Sequence, residues 1–241
     1  MSSIVVVHGA WQGAWCWDRL TPILTDGGAV VSTPTLTGCG TRAGELTSGV
    51  ALADHVDDVI DEIVGNDRRG VVLVGHSYSG MVISGVAERI ADRLSALVFV
   101  DAFYPGDGES ALGQMPPPFQ AMFRQRALDE GDGWRLPAND GLLDVWGLHD
   151  PSLRAWVRPQ LTDWSLNCFT SPVALPHMHR SKLRRVFVAA DAENYPAKAA
   201  FGPIADKAHA DGCTLHRVDA GHDLMLERPR ELADILLALA G

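Results

Sequence analysis

The sequence predicts a three-layer α/β fold: a mainly parallel sheet of about six strands, helices on both faces, and a mostly helical cap inserted late in the chain. Three observations carry this. Short β-branched runs alternate with segments of helical period through the first hundred residues and again through the last sixty or so. Residues 70–81, G-V-V-L-V-G-H-S-Y-S-G-M, read as a buried strand, a tight turn and the start of a helix. Between about residues 106 and 180 the alternation breaks down.

Residues 3–7 form the first apolar strand, and His8 to Trp17 follow it as a loop rich in glycine and tryptophan. Asp18 is a candidate cap for a helix with Leu20, Ile23 and Leu24 at helical spacing, closed by Gly27-Gly28. Residues 29–33 are the second strand and 34–49 a loop. Thr47 or Ser48 is expected to open a helix whose apolar face carries Leu52, Val56, Val59, Ile60 and Ile63. Its acids, Asp54, Asp57, Asp58, Asp61 and Glu62, read as a solvated face. The strand at 71–74 and a helix to about residue 90 come next, then a strand at 96–100. Residues 106–180 hold Pro116 to Pro118, Trp134, Trp146, Trp156 and Trp164 and show no convincing strand. Strands at 185–190 and 214–218, a helix over 197–210 and a final helix from Pro229 to Ala240 complete the chain. The core is therefore expected in residues 1–105 and 181–241, with 106–180 as a cap over the carboxyl ends of the strands, where such sheets bind ligands.

At 241 residues and 46% hydrophobic, the chain suits one domain with a substantial core. A net charge of −10 with scattered Lys and Arg excludes a nucleic-acid surface. No apolar run approaches the ~20 residues of a membrane span. The first strand begins directly after Met-Ser-Ser with no charged n-region or cleavage site before it, so no signal peptide is expected, and Cys16, Cys39, Cys168 and Cys213 form no C-x-x-C pair. These features point to a cytoplasmic protein with reduced thiols. His177 and His179 make an H-x-H pair, but no Asp, Glu or Cys stands at ligand spacing, so no metal site is expected.

The stretch around Ser77 has the strand–turn–helix context of a nucleophile elbow. Gly75 and Ser79 are the small residues such a turn needs; Ser79 stands where glycine is usual, with Gly80 one place later. A serine hydroxyl needs a base. Among nine histidines, His222 lies in D-A-G-H-D-L-M, after the last strand and before the last helix, where a loop can reach the elbow. His8, His55, His209 and His216 read as loop, surface or helix-flank residues. The acid that orients the base is expected at Glu193, about three residues past the strand at 185–190, with Asp191 and Asp101 as alternatives. Backbone N–H groups of Tyr78 and Ala10 are the candidate oxyanion donors. Gly9, Trp11 and Phe103 are expected to line the substrate pocket.

These motifs resemble those of the α/β-hydrolase superfamily. The run H-G-A-W-Q-G-A-W-C-W from His8, with G-H-S-Y-S-G and A-G-H-D-L-M-L-E-R-P, is more closely similar to the branch of plant hydroxynitrile lyases, salicylate-binding methylesterases and their bacterial esterase relatives. The resemblance covers nearly the whole chain, least in the cap. It implies an acyl-enzyme mechanism, no cofactor, an apolar pocket under a cap and, as in plant members, a homodimer. The lyases of this branch carry threonine in the oxyanion loop and lysine after the histidine. Here those places hold Gly9 and Asp223. The expectation is a serine carboxylesterase acting on a small to medium apolar or aromatic ester, with no nucleic-acid or membrane partner. The alternatives are a lactonase, a methylesterase of a secondary metabolite, a C–C bond hydrolase, a hydroxynitrile lyase, or a ligand-binding receptor on the same scaffold.

Overall fold

A computed structural model of the protein describes residues 3–177 and 182–240. The central sheet comprises β1 (Ser3–Val7), β2 (Val30–Ser32), β3 (Val71–His76), β4 (Leu94–Val100), β7 (Arg184–Ala190) and β8 (Thr214–Val218), in the spatial order β2-β1-β3-β4-β7-β8. Every neighbouring pair is parallel, as the alternation of strands and helices requires. β3 is buried along its whole length, because α3 (Ser79–Ile90) and α11 (Pro229–Ala240) both pack on it. That is why it reads as an unbroken apolar run. α2 (Leu52–Gly65) packs on α3, and α1 (Thr21–Asp26) on α11.

Local chemistry moved two expected helix starts. α2 begins at Leu52, not at Thr47 or Ser48, because the Asp54 carboxylate accepts the Ala51 N–H at 2.8 Å and fixes the first turn there. Asp18 is exposed and closes the short 3-10 turn Ala14–Trp17 instead of opening α1, which starts at Thr21 with a proline in its first turn.

Between β4 and β7 the chain forms the cap. It contains α4 (Ala111–Gln114), α5 (Pro117–Glu130), α6 (Gly141–Val145), α7 (Pro151–Val157) and α8 (Leu166–Thr170). Two two-residue strands, β5 (Arg135–Leu136) and β6 (Trp164–Ser165), pair antiparallel within it; they are too short to leave a periodic signal. The remaining elements are α9 (Lys198–Ala210), which packs on β7 and β8, and the short α10 (Leu224–Glu227). The four cysteines are buried and free. Among the described residues no helix is long and apolar enough to cross a membrane.

Candidate active site

β3 delivers the chain to a sharp turn at its carboxyl end, and Ser77 occupies that turn with φ of 54°. A serine in the left-handed region is strained by roughly 1–3 kcal/mol, so the surroundings must hold it there. They do so through the backbone: Ser77 N–H donates to Val100 C=O at 3.1 Å, and Phe103 N–H donates to Ser77 C=O at 3.0 Å. A Cβ on Gly75 would lie 2.5 Å from the Ser79 carbonyl oxygen, and one on Gly80 would lie 1.9 Å from that of Phe103. Both glycines are thus obligatory. Ser79 is tolerated because its hydroxyl has a use: it is fully buried and donates to the His8 carbonyl, tying the start of α3 to the loop after β1.

His222 sits in the loop after β8, and Gly221 before it has no room for a side chain: a Cβ there would lie 2.6 Å from the Trp146 carbonyl oxygen. The His222 N–H donates to that same carbonyl at 2.8 Å. The ring Nδ1 lies 2.6 Å from Asp101 Oδ2, with both side chains almost completely buried. A carboxylate only accepts, so Nδ1 carries the proton and Nε2 is left with its lone pair. Asp101 follows β4 directly, with φ of 41°, and its Oδ1 accepts the Ala190 N–H at 3.1 Å. Tyr195 Oη donates to Asp101 Oδ2 at 2.5 Å and lies 3.0 Å from His222 Nδ1.

The expectation of Glu193 as the orienting acid is therefore corrected. Glu193 is exposed, and Asp191 pairs with Lys198 at 2.8 Å and Arg217 at 3.5 Å. The physical reason is the path of the loop after β7. Asp191 N–H and Ala192 N–H bond to Val218 C=O and Ala220 C=O, which keeps the loop along β8. Tyr195, two residues after Glu193, then enters the space beside the imidazole. Tyr195 was not singled out in the sequence, since a lone aromatic in a loop has no signature.

The loop after β1 runs against the elbow. A Cβ on Gly9 would lie 2.9 Å from both Ser77 Cβ and His76 Nδ1. Gly9 thus packs beneath the serine and does not line the pocket, contrary to expectation, while Trp11 and Phe103 do. Among the described residues, the N–H groups of Ala10 and Tyr78 donate to no backbone acceptor in a turn or loop. Behind them lies a buried polar network. Gly9 N–H donates to Gln12 Oε1 at 3.2 Å, Gln12 Nε2 donates to Asp223 Oδ1 at 2.7 Å, and the His76 ring lies between two acceptors, Nδ1 at 3.1 Å from Gln12 Oε1 and Nε2 at 3.0 Å from His222 C=O. Burial holds His76 well below the ordinary histidine range and pushes Asp223 up to about 6. His8 is lowered to about 4, chiefly by burial; its Nδ1–H donates to Gly9 C=O and its Nε2 accepts Leu36 N–H. It is a neutral structural residue, as its place in the loop suggests.

Ser77 and His222 open together on a cavity of about 250 Å³ under the cap. Its wall is mostly apolar, with Trp11, Phe123 and Phe169 in mutual ring contact at centroid distances of 5.5 to 5.9 Å. Met115, Met122 and Trp146 also face it. His55, expected at the surface, is buried instead. It faces the elbow helix from α2, accepting from Tyr78 Oη at 3.1 Å and donating to Thr37 C=O at 2.9 Å. Its position three residues after Leu52 and one before Val56 placed it on the apolar face. His177 is exposed and paired with Glu88 at 2.8 Å, whereas His179 lies outside the described residues. Among the described residues no group of three or more His, Cys, Asp and Glu could hold a metal.

A doubly covered parallel sheet, a strained serine at a strand end and a buried acid–histidine pair define a hydrolase of the α/β class. The profile of the alpha/beta hydrolase family matches residues 4–235, and the chain belongs to that family. It is 36% identical over 247 residues to a carbendazim hydrolyzing esterase from Nocardioides sp. (strain SG-4G), covering 99% of this chain and 100% of that one. Over 42% of the chain and 38% of the relative it is 35% identical to methylesterase 8 of Arabidopsis thaliana. The fold superposes on an extracellular α/β-hydrolase from a Paenibacillus species with a TM-score of 0.88 and 23% identity, covering 100% and 99% of the two chains.

Proposed function

We propose that the protein is a serine carboxylesterase acting on small to medium apolar or aromatic esters. The observation that carries this is the buried Asp101–His222 pair, 2.6 Å apart, opening with the strained Ser77 on one apolar cavity. With Nδ1–H held by Asp101, His222 Nε2 takes the Ser77 hydroxyl proton as Oγ attacks the ester carbonyl. The N–H groups of Ala10 and Tyr78 receive the developing oxyanion. Nε2–H then passes to the departing alkoxide, and water repeats the attack on the acyl-enzyme with His222 again as base. Asp101 holds the ring by its Nδ1–H and stabilises the imidazolium as it forms. No step requires a cofactor.

The names of the relatives, an esterase along the full length and a methylesterase along part of it, support ester hydrolysis over the other chemistries of the fold. A cyanohydrin lyase is disfavoured because Gly9 offers no hydroxyl and Asp223 is turned away from the cavity into the Gln12 network. The test is covalent labelling with a fluorophosphonate, mapped by mass spectrometry, beside turnover of methyl, alkyl and aryl esters and of carbendazim. A label on Ser77 with aryl or methyl ester turnover is expected. A label on another serine, or no turnover of any ester, rejects the proposal.

A further inference from the structure

Tyr195 reaches the acid–base pair from an element that otherwise contributes nothing to it. It is 3% exposed, its ring stacks on His222 at 6.0 Å and 20°, and its hydroxyl touches both members of the pair. The phenol has one proton, and the carboxylate is the only one of the two partners that must accept. The O–H therefore donates to Asp101 Oδ2, the same oxygen that receives His222 Nδ1–H. Burial and the neighbouring Asp101 charge hold the phenol well above the ordinary tyrosine range, so it stays a donor across the working pH range.

We infer that Tyr195 is a positioning residue that weakens the hold of Asp101 on protonated His222. This deepens, and rests on, the serine esterase reading. A carboxylate oxygen shared between two donors has less negative charge to offer each, so removing the phenol O–H leaves Asp101 Oδ2 to the imidazolium alone and tightens that hold. Packing alone would make a different prediction, because a phenyl ring fills the same space.

Other groups also face the pair. His76 of β3 lies 4.5 Å from the His222 ring between centroids, and Asp223 is the next residue in the histidine loop. Ser77 faces the cavity with His222. The rings of Trp146 and Phe201 cover the remaining sides and carry no charge. All of these stay in place when only the hydroxyl is removed, so a change in pH dependence belongs to the Tyr195 O–H.

The experiment compares kcat/KM against pH for the parent, Tyr195→Phe and Asp101→Asn on one activated aryl ester. The acid limb of Tyr195→Phe is expected to move to higher pH by about half to one unit. Superimposable limbs, or a uniform loss of rate without a shift, overturn the inference and reduce Tyr195 to packing. Near-normal turnover by Asp101→Asn instead overturns the triad itself, so the two failures are distinguishable. The downfield Nδ1–H resonance of His222 gives a second readout that needs folded protein but no activity. It should shift in Tyr195→Phe, and an unmoved resonance likewise overturns the inference.

Discussion

Gln12 Nε2 donates to Asp223 Oδ1 at 2.7 Å, joining the loop after β1 to the loop that carries the histidine. The other carboxylate oxygen, Oδ2, is buried with no hydrogen-bond partner among the described residues. Desolvation is thus the largest influence on Asp223 and raises it from 3.8 to about 6. The native protein then binds more protons than the unfolded chain between pH 4 and 6. Stability from this group is present below its unfolded value and is lost as pH rises through about 6, to the extent of about 3 kcal/mol. His76, lowered by burial, acts in the opposite sense as pH falls below its ordinary value. Subtracting profiles separates the two. The stability of Asp223→Asn minus that of the parent, from urea unfolding, should rise by about 2–3 kcal/mol from pH 4 to pH 7. A flat difference would show that Asp223 is not held as the acid.

Gly9 stands where the lyases of the resembling branch carry threonine, and it has no space for a side chain. Its virtual Cβ sits 2.9 Å from Ser77 Cβ and from His76 Nδ1. Gly9→Thr should therefore displace the elbow, lose ester turnover by at least about a hundredfold, and gain no cyanide release from mandelonitrile. Cyanide release by the variant would mean that the loop relaxes freely and that backbone room does not decide the chemistry.

The three candidate acids can be compared directly. Asp101→Asn should reduce turnover by about 10⁴ through the wrong tautomer and a weaker hold on the imidazolium. Glu193→Gln and Asp191→Asn should leave turnover within about threefold of the parent, as exposed or half-exposed side chains away from the ring do. Loss of activity in Glu193→Gln with retention in Asp101→Asn would reverse the assignment.

Ser77→Ala should remove ester turnover by about 10⁴ or more while the fold persists. Ser77→Gly makes a sharper test. At φ of 54° glycine is relieved of the strain that serine bears. The variant should be equally inactive yet more stable by about 1 kcal/mol, read as a raised midpoint of unfolding. Lower stability would indicate that the turn is not strained.

The elbow turn was legible because its residues are consecutive and each position answers a local steric demand, whereas Gly9 in the loop after β1 was expected in the pocket wall and packs under Ser77. The acid was not. β4 and β7 are neighbours in parallel register, with Val100 opposite Val188, so their carboxyl ends lie side by side. Either end can present a carboxylate to His222, and strand order alone does not choose between them. The choice rests on the bonds that keep the chain after Ala190 along β8 and on Tyr195 filling the gap, both of which are tertiary. His55 was misplaced for a different reason: helical spacing put it on the apolar face, but its polar ring suggested solvent. Tyr78 Oη and Thr37 C=O satisfy both its nitrogens inside.

The bond from His222 N–H to the Trp146 carbonyl has a consequence for exchanging parts between relatives. Trp146 follows α6, so the cap supplies a backbone anchor for the base as well as a roof for the ligand. Asp101, at the cap's point of departure from β4, carries the acid on the same excursion. A graft that replaces the cap to broaden substrate range would remove the anchor of His222, the proposed base, and shift the segment that follows Asp101, unless the donor cap returns a carbonyl to the same place. Specificity and competence are thus spliced into one segment here, and recombination is safest within the aromatic wall, at Phe123 or Phe169, leaving both ends of the segment untouched.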